Sequence, residues 1–168
     1  NMSNNYDHGI YIRYSDNNTV SGNNANNNSD YGMYLWSSDN NTICENTISN
    51  SNYGIRLEEY SNDNTVSGNT ANYNLHGIYL NNSYRKNLLG NKASKNHNGI
   101  YLSESNNNTI LGNNANNNSD HGIYLWSSDN NTISENTINY NIHGIRLEEY
   151  SDDNTVSGNN AKYNLYGI

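Results

Sequence analysis

The chain has 168 residues, of which 32% are hydrophobic, with no Pro and no Phe, and a formal net charge of −8. That mixture cannot fill one thick globular core, and without a period it reads as disordered. The negative balance excludes a nucleic-acid partner, since phosphates call for Lys and Arg, and no apolar run is long enough to span a membrane.

A period is present. Gly9, Gly32, Gly54, Gly77, Gly99, Gly122, Gly144 and Gly167 are separated alternately by 23 and 22 residues. Regular self-similarity at this length marks a solenoid, in which each repeat buries its apolar face against its neighbours. Each coil opens with Gly-apolar-x-apolar, from Ile10/Ile12 through Ile55/Leu57 to Ile145/Leu147. That alternation predicts a strand with two side chains inward. A serine turn follows, then a second stretch centred on Val20, Ile43, Val66, Leu88, Ile110, Ile133 and Val156. Thr precedes the apolar residue in every coil but one, where Asn87 stands. A third stretch centres on Ala25, Ile48, Ala71, Ala93, Ala115, Ile138 and Ala161.

Three short strands per coil, with no helical period and no hairpin signal, predict that each strand pairs with its copy one coil away. The expected fold is all-β: a single-stranded parallel β-helix of about seven coils, one domain over residues 1–168, and a segment of a longer chain. The extra residue of the longer coils belongs in turns, because one added within a strand would exchange its faces. It falls around Glu58-Glu59-Tyr60 and Glu148-Glu149-Tyr150, or around Asn28-Ser29-Asp30 and Asn118-Ser119-Asp120. Residues 32–80 recur nearly unchanged at 122–168, which points to a duplicated pair of coils.

Between the second and third stretches lie Asn23, Asn46, Asn69, Asn91, Asn113, Asn136 and Asn159. A second column, Asn28, Asn74, Asn96, Asn118, Asn141 and Asn164, has Ser51 as its exception. Stacked amides are expected to act as structural ladders that satisfy turn backbone groups. Cys44 stands where other coils have Ser, so no disulfide framework is expected.

The Gly-Ile-Tyr-Leu, Asn-Asn-Thr-Ile and Glu-Asn-Thr-Ile blocks, at this spacing along the whole chain, resemble the right-handed parallel β-helix repeats of NosD-like proteins. That resemblance implies archaeal-type cell-surface repeat proteins, carbohydrate-binding or carbohydrate-cleaving modules, or periplasmic members linked to copper delivery. No catalytic motif comes with the repeat.

Candidate functional positions are the outward ones of the first strand. Tyr34, Trp36, Arg56 and Glu58, with their copies Tyr124, Trp126, Arg146 and Glu148, place flat rings beside charged pairs. Such a face can hold a sugar chain; it can also merely support the sheet. Register places Arg56 between Tyr34 and Tyr79 in a cation–π stack, and Trp36 between Arg13 and Glu58. Glu58/Glu59 and Glu148/Glu149 invite a glycosidase reading, but the pair occurs in both duplicates and no cleft is evident. With Asp16, Asp39, Asp63, Asp129 and Asp153, these acids can offer oxygen ligands to Ca²⁺. His8, His76, His121 and His143 precede the repeat glycine, where other coils carry Tyr or Asn, so the position reads as a tolerant surface one. His121 and His143 fall on adjacent coils, and the resemblance to members linked to copper delivery makes a copper or zinc pair there conceivable. Eight Asn-x-Ser/Thr sequons occur, at Asn1, Asn17, Asn27, Asn40, Asn81, Asn107, Asn117 and Asn130.

The sequence therefore predicts an extracellular or cell-surface structural segment, a spacer, coat or fibre component. Flanking coils or copies of itself, packed end to end or laterally, are its expected partners. A polysaccharide-binding module is the alternative. No catalytic activity, no cofactor beyond Ca²⁺ and no metal site are expected.

Overall fold

The computed structural model describes all residues, Asn1 to Ile168. It contains strands and turns only, wound as a parallel β-helix, and so has no helix long and apolar enough to cross a membrane.

The first sheet stacks His8–Arg13, Tyr31–Trp36, Tyr53–Glu58, His76–Asn81, Asn98–Ser103, His121–Trp126 and His143–Glu148, all parallel. Each pairs with its own copy in the next coil: Ile10 with Met33, Met33 with Ile55, Ile55 with Ile78. The second sheet is also seven strands, one per coil, from Thr19–Ser21 to Thr155–Ser157. The third is shorter than the sequence suggests. Only Asn24–Asn26, Thr47–Ser49 and Thr70–Asn72 form a ladder, and single bridges continue it through Lys92, Asn114, Thr137 and Asn160. In those later coils side chains capture the next backbone amide: Ser94 N–H donates to Asn72 Oδ1 and Asn139 N–H to Asn116 Oδ1.

A core of 22 buried side chains runs down the axis, about three per coil. Val, Ile and Leu fill the first two stretches, and Ala or Ile the third. The repeat glycine has a steric cause. A Cβ on Gly54 would sit 2.5 Å from the carbonyl oxygen of Gly77, and backbone cannot yield there.

Polar columns line the turns. Asn69 is typical: its Oδ1 accepts from Asn46 N–H at 3.0 Å and from Asn46 Nδ2 at 3.0 Å. Its Nδ2 donates to the Ile43 carbonyl at 2.9 Å. A third asparagine column, absent from the sequence reading, comprises Asn18, Asn41, Asn64, Asn108, Asn131 and Asn154. Lys86 interrupts it, with its backbone N–H on Asn108 Oδ1. Lys86 is 1% exposed and its Nζ donates to the Tyr84 carbonyl at 3.1 Å. Burial pulls its ammonium pKa down to about 7.

The length differences sit in turns. Glu59 and Tyr60 adopt left-handed φ of 51° and 61°, as do Glu149 and Tyr150 at 49° and 60°. The shorter first turns use one such residue, Tyr14, Ser37, Asn82, Glu104 or Ser127, at 45–48°. Three last turns are long by one residue, and each carries Asp before the first-sheet strand: Asp7, Asp30 and Asp120.

Candidate functional site: a double ring row and a histidine cluster

Alternation in the first sheet turns every second side chain outward. The residue just before the repeat glycine also lays its side chain against the outward residue three positions on, so two rows form rather than one. The first row is Tyr11, Tyr34, Arg56, Tyr79, Tyr101, Tyr124 and Arg146. The second, just before the glycine, includes His8, Tyr31, Tyr53, His76, Asn98, His121 and His143. Rings in a row stack at coil spacing, Tyr11 on Tyr34 at 5.1 Å and Tyr101 on Tyr124 at 4.7 Å between centroids. Rows also touch each other: Tyr31 on Tyr34 at 4.6 Å and His121 on Tyr124 at 4.5 Å.

Arg56 pairs in register with both Tyr34 and Tyr79. Its guanidinium lies nearer the other row, 4.7 Å from the Tyr53 ring and 5.2 Å from Tyr31, so four tyrosines surround it. It donates to Glu58 Oε1 at 2.8 Å and to the Tyr31 hydroxyl at 3.1 Å. Tyr34 O–H donates to Glu58 Oε2 at 2.8 Å. Trp36 lies between Arg13 and Glu58, with Arg13 4.4 Å from the indole centroid. In the second copy Arg146 pairs with Glu148, and Tyr124 O–H donates to Glu148 at 2.7 Å. Trp126 has Ser103 and Glu148 as neighbours, with no arginine over it. All eight of these side chains are half-buried and open to solvent on one face. Burial, then the hydrogen bond to a carboxylate, raises the pKa of Tyr34 and of Tyr124. Glu148 is held low by the hydrogen bonds from Tyr124 and Arg146.

The histidine position differs most from its surface reading. His121 is 6% exposed and stacks on His143 at 4.9 Å. Asp120 carboxylate oxygens lie 3.3 Å from His121 Nδ1 and 3.5 Å from His143 Nδ1. The nearest carboxylate, two imidazoles and their free ligand atoms fall within 4.8 Å of one another. His121 Nδ1 is 2.9 Å from Asn98 Oδ1, and its Nε2 is 3.3 Å from Arg146 Nη1. A guanidinium only donates, so Nε2 is the acceptor and Nδ1 carries the proton. Burial first, with His143 and Arg146 adding to it and Asp120 opposing, lowers the His121 pKa. His143 Nδ1 is buried without a hydrogen-bond partner. Two nitrogens and one carboxylate oxygen suit a borderline divalent ion such as copper(II) or zinc(II), so these residues fit one. The sequence signal existed: Asp120 comes from the long turn, and the two histidines share a register position. What the linear sequence hides is that the turn folds Asp120 over both rings.

The turn acids have other contacts. Asp16 accepts the Asp39 backbone N–H at 2.7 Å and Asp39 that of Asn62 at 2.6 Å. Asp63 pairs with Arg85 at 2.7 Å. Glu59 and Glu149 sit at the turn, past the sheet, while Glu58 and Glu148 lie in it.

Solved structures share this architecture. A mutant of the periplasmic alginate epimerase AlgG superposes with a TM-score of 0.81 at 27% identity, over 84% of this chain and 36% of that one. The A-module of the Azotobacter vinelandii mannuronan C-5 epimerase AlgE6 matches with a TM-score of 0.83 at 16% identity, over 93% of this chain and 55% of the module. That of AlgE4 matches at 0.71 and 15%, over 96% and 60%. The two modules show the fold alone. The chain thus spans between about a third and three fifths of these proteins. The expectation of a segment without enzymatic activity is corrected by this finding, because the structures it resembles are epimerases. No curated protein matches the chain. One family model covers it, at residues 1–75 and 59–168, and by that match the chain belongs to the family described as periplasmic copper-binding protein (NosD).

Proposed function

We propose that this β-helix is a periplasmic or extracellular polysaccharide-engaging protein whose first-sheet face is the sugar track. The double row of rings carries the reading: it is continuous along seven coils and interrupted only by arginine–carboxylate pairs and Asn98. Flat rings offer apolar faces to pyranose rings, and Arg–Glu pairs offer directed donors and acceptors to hydroxyls and carboxylates. Similarity to alginate epimerases supports a polysaccharide substrate. A spacer role would use the same scaffold.

The second copy adds a chemical reading. Arg146 beside the acceptor nitrogen of His121 is the pairing that proton abstraction next to a uronate carboxylate needs. There Arg146 holds the carboxylate while His121 Nε2 takes the proton from the adjacent carbon. The electron pair spreads into the carboxylate, and a solvent proton returns to the carbon. Asp120, His121 and His143 would hold a copper ion only at the expense of this step, since a metal on His121 Nδ1 leaves Nε2 protonated.

Both readings are tested by titrating the protein with polymannuronate and with neutral glucans, following tryptophan fluorescence, and then incubating the complex in D₂O. Saturable binding that Trp126→Ala and Arg146→Ala weaken about tenfold or more is expected. Deuterium in the polymer that disappears in His121→Gln is expected as well. No saturation with any polysaccharide overturns the track; binding without exchange overturns only the proton-transfer step.

A further inference from the structure

We propose that Asp120, His121 and His143 form a site for one divalent transition-metal ion, copper(II) or zinc(II), and that Arg146 competes with the ion for His121. The family description names copper but assigns no residues; the geometry here does. It does not rest on the sugar track, since the ion is titrated without sugar.

Three observations carry it. First, the donor set is right: one carboxylate and one nitrogen of each imidazole within 4.8 Å of one another, with both Nδ1 atoms facing Asp120 at 3.3 and 3.5 Å. Closing them onto an ion at about 2.1 Å requires the side chains to converge, with the backbone fixed by first-sheet pairing of His121 with His143. Second, His143 Nδ1 is buried, makes no hydrogen bond and faces an Asp120 carboxylate oxygen 3.5 Å away. Third, the duplicate lacks the site although its scaffold is the same. Asp30 occupies the place of Asp120, but Tyr31 and Tyr53 replace the histidines.

Arg146 sets the affinity through the tautomer. Nε2 of His121 accepts from Arg146, so Nδ1 is protonated. Metal on Nδ1 sends that proton to Nε2, where it faces a guanidinium that cannot accept it. Arg146 must then swing away toward Glu148, its ion-pair partner.

Calorimetry and copper(II) EPR with the metal salts alone test this. The wild-type chain should take up one equivalent, with nitrogen hyperfine structure from two imidazoles. His121→Gln/His143→Gln should weaken binding more than about a hundredfold, and Arg146→Met should tighten it about tenfold. Tyr31→His/Tyr53→His should add a second equivalent, which no loss of folding can imitate. Binding that survives the double histidine replacement, or a grafted variant that still takes one equivalent, overturns the site. An unchanged affinity in Arg146→Met overturns the competition.

Discussion

The two duplicated coil pairs differ little in sequence and greatly in what their outward face can do. In the first, Tyr31, Tyr53, Tyr34 and Tyr79 enclose Arg56, and Glu58 takes hydrogen bonds from both Arg56 and Tyr34. In the second, the same arginine and glutamate positions face two histidines and Asp120. A flat ring of either kind stacks at the coil spacing, so the sheet is indifferent to the exchange. The chemistry is not. Tyrosines leave an aromatic cage round the arginine, and histidines leave nitrogen lone pairs beside a carboxylate.

The comparison assumes that the two copies share one scaffold, and the largest expected effect tests that. Asn69→Leu leaves the Asn46 amide and the Ile43 carbonyl buried and unpaired, a loss on the order of 4 kcal/mol. Asn159→Leu, its counterpart bonded to Ile133 and Asn136, removes the same contacts and should lose a similar amount. Urea denaturation of both variants measures the two losses, and clearly unequal ones would mean that the copies do not share one scaffold.

Next in size is the coil between them. Lys86 offers no acceptor to the column position that asparagines fill in other coils. Lys86→Asn should therefore stabilise the fold by about 2 kcal/mol near pH 7. The sign with pH follows from the lowered pKa. Between about 7 in the folded chain and 10.5 in the unfolded one, the unfolded chain binds more protons, so stability rises with pH. That rise, with a slope approaching about 1.4 kcal/mol per pH unit from this group, should vanish in Lys86→Asn. Asp39, Asp63 and Arg85 face the same ammonium and modulate it. Thermal melts of both proteins at a series of pH values check the difference curve.

The smallest effect concerns the two tyrosine–glutamate bonds. Tyr34→Phe and Tyr124→Phe should each cost about 1 kcal/mol, since each hydroxyl donates to a glutamate carboxylate. Melting shifts that differ clearly between the two would mean that the surrounding tyrosines or histidines change the strength of this bond.

Much of this fold was legible in the sequence. The inward pairs such as Ile55/Leu57, the turn position of the extra residues and the neighbours of Arg56 within its own row all follow from period and register. The site was less so, because register relates residues one coil apart and says nothing of residues that meet diagonally. Tyr53 lies closer to Arg56 than Tyr34 does, and Asp120 reaches two coils' histidines from a turn. The column through Asn64 and Asn108 was hidden for another reason: Lys86 breaks it in the middle, and adjoining asparagines mask its period.

The long last turns have a consequence for how such a protein changes over generations. Where that turn has its extra residue, an aspartate precedes the ring row, as at Asp7, Asp30 and Asp120; where it is short, Asn52, Leu75, His97, Ile142 and Leu165 stand there instead. A single in-frame codon, gained or lost outside every strand, thus decides whether a coil presents an acid to its rings. The gene can place or erase a carboxylate coil by coil while the core below keeps its reading.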